Sequence, residues 1–549
     1  MTLDTLVAIL ALLVAGIAVA PRSKILAIKS RIQLFDWMGG IVAVLGVHAL
    51  LFYENLAGRC QVPNWMCIVP KWPFPRDVAS PGQVAYFLVV LVISYAFWKL
   101  FFSRLARGRI FAFRELVGNL VHTRDFSALF ALLERDFDQL TRIATRNYLT
   151  VRIRDRLMSW HVPCDLAVLV RHFENHVDVQ PTYKSPISKR FLGAGGRWIA
   201  TCLPDYARHG EAARDVFRSV FTSRSVVSEL ARTRPYFSLR ILGTNLHDIH
   251  DFVDIYFREL LSNSHSILYA EIRSNQNISY THDYALPDSN KVLHYLFSDT
   301  RKAEELSAWR PVGESFIERL DELAFDPEVD PYNRPMGSFD ERDKWNDQLF
   351  ASIRFFDIMV SKALLQDREW HMWLYYFPHF VERMVRNFCA DSPLVDKDSE
   401  WPTRYSYLLY EVISTLVAWL SMVQHLPVDQ ANVRLAGASG AQENGNIPKS
   451  AVFALSDCLR CILLADHLPS RFRGSIAGLA FSCLFELKLN GKTRCLSEVL
   501  VHRLCDRGYR TEERQSEFVH ALAQYLSQQD LARWADQIRE FDAELHAVA

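Results

Sequence analysis

Three apolar stretches within the first 102 residues constrain this chain more than anything else in it. Residues 3–20, 34–53 and 84–102 each hold very few charges. As helices they run about the length of a hydrocarbon layer, roughly 30 Å. Backbone inside lipid has to satisfy its own hydrogen bonds, so helices are expected at all three. A cleaved signal peptide competes for the first stretch, because Ala18-Val19-Ala20 resembles a cleavage site. No Lys or Arg precedes that stretch, however, and Pro21 follows it directly, so a retained helix is expected.

Basic residues set the orientation. Arg22, Lys24, Lys29 and Arg31 lie between the first two spans with no acid among them, and Arg104, Arg107, Arg109 and Arg114 follow the third. The loop between the second and third spans mixes both signs. The positive-inside rule then puts the N-terminus outside and everything beyond residue 102 inside. Cys60 and Cys67 fall in the outside loop, where an oxidising compartment lets them pair; two free thiols are the alternative. In the second span Gly39, Ala43 and Gly46 sit at small-residue spacings that admit a close neighbouring helix. His48 lies within the same apolar run. It is either a pore or relay group, or a neutral imidazole hydrogen-bonded between packed helices. Three spans enclose little by themselves, so a pore needs several copies, a tetramer for example.

Lys+Arg and Asp+Glu both number 62, and half the residues are hydrophobic. That balance excludes a protein that coats nucleic acid through bulk charge, and disfavours an intrinsically disordered one. The ten Cys are too sparse for a disulfide scaffold in a chain of 549 residues. From about residue 106 onward apolar residues recur at three- and four-residue intervals, and Thr123–Asp125 reads as a turn between two helices. The expected class is therefore all-α: three N-terminal transmembrane helices, then a large cytosolic domain built as a solenoid-like or irregular helical stack. The expected divisions are a membrane module over 1–105, a helical sensor over 106–428, a flexible linker over 429–450 and a helical segment over 451–549. The aromatic run 370–380 reads as core, and 524–549 as one amphipathic helix able to dock on the body or a partner.

Signatures of chemistry are few. Gly491-Lys492-Thr493 ends like a phosphate loop but lacks the earlier glycine, where Glu486 stands. Cys458 and Cys461 form a CxxC inside a helical run, which puts both on one face as small hydrophobes rather than zinc ligands. His247, His250, Asp251 and Asp254 share a helical face, but Ile249, Phe252, Val253, Tyr256 and Leu260 make the opposite face an ordinary buried stripe. No metal or cofactor is expected. Two R-x4-H spacings occur, Arg156 to His161 and Arg171 to His176. The second resembles the catalytic motif of HEPN-type helical ribonucleases, which makes a membrane-tethered ribonuclease the alternative function; chance spacing is its rival.

Two clusters suit a phosphate-bearing ligand. Lys184, Lys189, Arg190, Arg197 and Trp198 surround a glycine-rich stretch whose backbone can approach an anion. Arg232, Arg234, Tyr236 and Arg240 combine guanidinium groups with a ring, which suits stacking and phosphate contact. Solvated surface is the competing reading of each.

The whole-chain plan is a short multi-span module followed by a large helical body without an enzyme signature. It resembles the membrane effectors of bacterial anti-phage systems, and is similar in outline to the Hailong ion-channel effectors. The resemblance covers domain order and no residue motif. It implies an oligomeric channel of the bacterial inner membrane, gated by a nucleotide or single-stranded oligonucleotide that a partner nucleotidyltransferase makes. A membrane-anchored helical scaffold is the third expectation.

Overall fold

The computed structural model describes residues 34–53, 80–101, 105, 107–145, 206–244, 246, 248–275, 284–324, 330–369, 372–436, 446–505, 512–528 and 535–548. Among them the regular elements are twenty-one α-helices and a few 3-10 turns, with no strand. The all-α expectation holds. The membrane expectation holds more coarsely. Helices α1 (Leu34–Leu51) and α2 (Pro81–Phe101) fall on the second and third apolar stretches, while residues 3–20 lie outside the described residues. Two described helices are long and apolar enough to cross a bilayer, Pro81–Lys99 and Arg404–His425. Only 6% of the first is buried, against 67% of the second, which is a core helix by its surroundings. The apolar part of α1 is shorter, Asp36–Leu51.

The chain divides into two units, Met1–Val226 and Val227–Ala549. In the first, α3 (Ile110–His122), α4 (Phe126–Thr145) and α5 (Tyr206–Phe221) pack on one another. Ile110, Phe113, Val117 and Leu120 make one stripe of α3 and meet the apolar faces of α4 and α5. Phe137 and Phe217 join α4 to α5 edge to face, 5.8 Å between centroids. The expected turn between α3 and α4 is present. Arg124 takes a left-handed φ of 56°, and Asp125 accepts from Ala128 N at 3.3 Å to cap α4.

The second unit is an irregular helical stack. Its middle is α13 (Gln348–Leu365) and α15 (Arg404–Met422), both buried on most sides. Around them α8 (Ile249–Ser262) packs on α12 (Trp309–Leu323), α12 on α14 (Tyr376–Asn387) and α14 on α17 (Ile447–Leu463), with α18 (Ser470–Leu489) against α15. The aromatic run is core as expected: Trp373, Phe377 and Phe380 are fully buried, and Phe380 stacks on Phe316 of α12 at 3.8 Å. Gly313 lets α12 approach that cluster, because a Cβ there would sit 2.5 Å from the Tyr376 ring. Gly313→Ala is expected to destabilise the second unit by about 1–3 kcal/mol through forced repacking. Tyr376→Leu in the same chain should recover part of the loss, read as the urea midpoint of each variant.

Two expectations near the C-terminus need correction. Residues 429–450 carry helix at both ends, α16 (Ala431–Ala436) and the start of α17, with 437–445 outside the described residues. Asn446 caps α17 by accepting from Lys449 N at 3.1 Å and ties back to Asn432 O at 2.9 Å, so side-chain hydrogen bonds override the loop-forming composition. The final stretch is two helices rather than one: α20 (Glu512–Ser527) and α21 (Ala535–Val548). The second docks on α18, with Phe541 buried against Phe481 and Lys488 paired to Glu540 at 2.6 Å.

Glu271 of α9 (Ile267–Ser274) shows how buried charge is used here. Its carboxylate accepts from Val292 N and Leu293 N at 3.1 and 2.8 Å, closing the start of α10 (Lys291–Phe297) from outside that helix. Burial raises its pKa. The folded state therefore binds more protons than the unfolded state as pH rises from the ordinary glutamate value, about 4.3, to the raised one, and stability falls over that window. Glu271→Gln should flatten this slope by up to one proton while costing about 1–2 kcal/mol for the imperfect cap. Urea midpoints between pH 4 and pH 7 read both.

Candidate functional site

The part of the molecule most unlike an ordinary globular surface is the α1–α2 hairpin. Along α1 the residues turned inward are Asp36, Gly40, Ala43, Val47 and Leu50, spaced alternately by four and three. That is the seam of a helix packed lengthwise on a neighbour. Ala85, Leu88, Val92, Ala96 and Lys99 form the answering seam on α2. The helices run antiparallel, since Asp36 at the start of α1 pairs with Lys99 near the end of α2 at 3.1 Å. Tyr95 Oη also donates to Asp36, at 2.6 Å. Outside the seam the surface is apolar: Trp37, Ile41, Val44 and Leu45 on α1, and Phe87, Leu91, Phe97 and Trp98 on α2, are all exposed. A continuous surface of this kind is stable only against lipid or another apolar surface.

Within this hairpin the singled-out residues separate. Ala43 is on the seam, Gly46 borders it and Gly39 points away from it. A Cβ at Gly39 or Gly46 would meet nothing within 4 Å, so neither glycine is needed for the packing of α1 on α2. His48 is exposed on the outer face and tilted against Phe52, 4.7 Å between centroids. Of the two disulfide candidates, Cys60 and Cys67, both lie outside the described residues, as do Arg171, His176, Lys184, Lys189, Arg190, Arg197 and Trp198.

The second basic cluster is described, at the corner between α6 (Arg224–Thr233) and α7 (Pro235–Leu242). Pro235 fixes the first helical position of α7 and so makes the corner sharp. Arg232, Arg234, Tyr236 and Arg240 are all solvent-exposed, with Tyr236 49% accessible. Arg232 is engaged by Glu229 at 2.8 Å, and the Arg240 guanidinium lies 5.8 Å from the Phe237 ring centroid. The corner presents charge and one open ring to solvent, the components of a nucleotide or single-strand contact.

A third arrangement had no signal in the sequence. Lys344 Nζ donates to Tyr407 Oη at 2.5 Å and sits 5.0 to 5.8 Å from the ring centroids of Tyr407, Phe350 and Trp345. Tyr407 Oη in turn donates to Glu411 at 2.5 Å. Burial lowers the Lys344 pKa and raises that of the Tyr407 phenol. The segment of Lys344, Trp345 and Phe350 and that of Tyr407 and Glu411 meet across 63 residues of sequence between Lys344 and Tyr407, so no spacing pattern could have joined them.

Among the other singled-out residues, His247 lies outside the described residues. Lys492 Nζ donates to the carbonyls of Gln424 and Leu426 at 3.2 and 3.0 Å, closing a helix end rather than a phosphate. Cys458 and Cys461 lie on α17, where burial pushes the Cys461 thiol up to about 11. Asp254 is taken by Arg258 at 3.0 Å, and the predicted stripe of Ile249, Phe252, Val253, Tyr256 and Leu260 is buried. Among the described residues no group of three or more His, Cys, Asp or Glu is placed to hold a metal ion. Comparison with protein-family models, with curated proteins and with solved structures gives no match for this chain.

Proposed function

We propose that this chain is an oligomeric multi-pass effector of a bacterial inner membrane. Its large helical body senses a nucleotide or oligonucleotide, and its N-terminal helices pass ions when that ligand is bound or lost. The observation that carries the reading is the α1–α2 hairpin, apolar outside and joined by the Asp36–Lys99 ion pair at the end that the basic residues assign to the cytoplasm. The basic, ring-bearing corner at Arg232 to Arg240 supports a phosphate-bearing ligand. The open space beside Gly39 and Gly46 supports contact with a second copy, since small residues let transmembrane helices approach closely. A ligand moves such a gate only through its difference in affinity between the closed and open packings.

The test is the membrane potential of cells expressing the full chain, followed with a potential-sensitive dye. Depolarisation is expected, and Gly39→Leu with Gly46→Leu is expected to abolish it while the protein still reaches the membrane. Depolarisation should survive His176→Ala. An unchanged potential, together with toxicity that needs His176, overturns the channel and moves the chemistry into the body.

A further inference from the structure

Lys344 lies in the 3-10 turn Asp343–Asn346 that leads into α13, within the second unit. Its side chain crosses to α15, where Nζ donates to Tyr407 Oη at 2.5 Å. Trp345 and Phe350 flank Nζ from its own segment, their ring centroids at 5.8 and 5.4 Å, and the Tyr407 ring lies at 5.0 Å. Tyr407 is only 4% exposed and is itself held edge to face by Trp401 at 5.2 Å and Phe339 at 6.0 Å. Lys344, Trp345 and Glu411 keep part of their surface open, so solvent reaches the edge of this cluster.

A lysine set among rings differs from a surface lysine in two ways. Burial takes water from Nζ and disfavours the ammonium form, so the Lys344 pKa is lowered. Glu411 and Asp340 act against that shift and Arg354 adds to it, and burial prevails. The free amine is therefore present at lower pH than for an ordinary lysine, whose pKa is about 10.4. The proton also has a route away. Lys344 Nζ donates to Tyr407 Oη, and Tyr407 Oη donates to Glu411 Oε1 at 2.5 Å. One proton shifting along each bond turns ammonium and carboxylate into amine and carboxylic acid, and leaves the phenol a phenol. No phenolate is needed, which suits a hydroxyl whose pKa burial raises.

We propose that Lys344 captures small apolar aldehydes covalently, with Tyr407 and Glu411 carrying its proton. The Nζ lone pair bonds to the carbonyl carbon, and the carbonyl oxygen takes a proton from the nitrogen to give a carbinolamine. The hydroxyl then leaves as water with the proton returned from Glu411 through Tyr407, while the nitrogen lone pair closes the C=N bond. Ammonium and aldehyde have become iminium and water, Glu411 is again a carboxylate, and nothing is oxidised or reduced. The surroundings select this product. An iminium keeps the positive charge that three rings and Glu411 stabilise. Acylation erases that charge, and carbon dioxide leaves a carbamate anion beside Glu411 and Asp340. The site stands apart from the hairpin and from the corner at Arg232 to Arg240, so its failure leaves the channel reading untouched.

The test treats the purified full chain with benzaldehyde and sodium cyanoborohydride near pH 8, so that reduction traps the imine, and follows each labelled lysine by peptide mass spectrometry. Lys397, with a side chain 61% exposed, is the internal standard. Lys344 is expected to be labelled about tenfold faster than Lys397, the effect of a pKa lower by about one unit. Tyr407→Phe keeps the ring and breaks the proton route, and should slow labelling of Lys344 about tenfold, with Lys397 unchanged. Glu411→Gln separates the relay from simple burial. Loss of the neighbouring carboxylate lowers the Lys344 pKa further, so an amine activated by burial alone is labelled faster, whereas one that needs the relay is labelled more slowly. Slower labelling is expected, with the midpoint of its pH profile moved down. Labelling of Lys344 no faster than Lys397 in the unaltered chain overturns the capture site without recourse to any variant. Faster labelling in Glu411→Gln overturns the roles assigned to Tyr407 and Glu411.

Discussion

Replacing Asp357 with Ala is expected to destabilise the second unit by about 3–5 kcal/mol, the range for removing one partner of a buried ion pair. Asp357 lies in the middle of α13. Its carboxylate accepts from Arg354 Nη1 at 2.8 Å, Trp419 Nε1 at 3.0 Å, Ser361 Oγ at 3.4 Å and the Tyr284 hydroxyl. The paired side chains are only 13% and 8% exposed. Arg354 donates a second time, to Tyr284 Oη at 2.9 Å, so the group forms a closed network across elements more than sixty residues apart. Truncating Asp357 leaves the Arg354 guanidinium with Tyr284 Oη but without its buried countercharge, and the Trp419 indole N–H without its acceptor. Removing both charges together, as Arg354→Met with Asp357→Leu, should cost less than Asp357→Ala alone, because no unpaired charge remains. Urea midpoints of the three chains decide the point. A loss under about 1 kcal/mol for Asp357→Ala would match an exposed pair and contradict the burial argument.

That network also shows where the sequence stops being informative. The helical class was legible because apolar residues recur at helical spacing, and the stripe on α8 could be named residue by residue from that period. The turn at Thr123–Asp125 was legible because polar residues interrupt two such runs. The apolar α1 and α2 were legible for a still simpler reason, near-absence of charge over a membrane length. Contacts between distant segments leave no such trace. Nothing local announces that Lys344 meets Tyr407 or that Tyr284 meets Asp357. Period also misled at the C-terminus, where one amphipathic pattern covered parts of two helices. The basic corner lay between. Its residues are adjacent in sequence, so their exposure together followed from the short segment, but the engagement of Arg232 by Glu229 did not.

The largest functional effect is expected at the hairpin's ion pair. Asp36 and Lys99 are 14% and 21% exposed in their side chains, and the surface around them is apolar. At the edge of a bilayer, removing one member leaves the other beside Tyr95 but without its countercharge, a loss of up to about 3–5 kcal/mol. Asp36→Ala should therefore separate α1 from α2 at that end, lower the amount of full chain in the membrane several-fold and remove depolarisation. The seam of Gly40, Ala43, Val47 and Leu50 stays intact in this variant, so restoring neutrality should restore the hairpin. Asp36→Leu with Lys99→Met is expected to return the protein to the membrane at its original level. Whether that double variant also depolarises cells separates two roles for the pair. A static clasp predicts full activity, since apolar packing replaces the bond. A switch that breaks when the gate opens predicts a hairpin that assembles and stays in one state, because the two packings then no longer differ by the making and breaking of a charged contact. Loss of membrane protein in the double variant as severe as in Asp36→Ala would refute both, and would place the contribution of these residues in something other than their mutual charge.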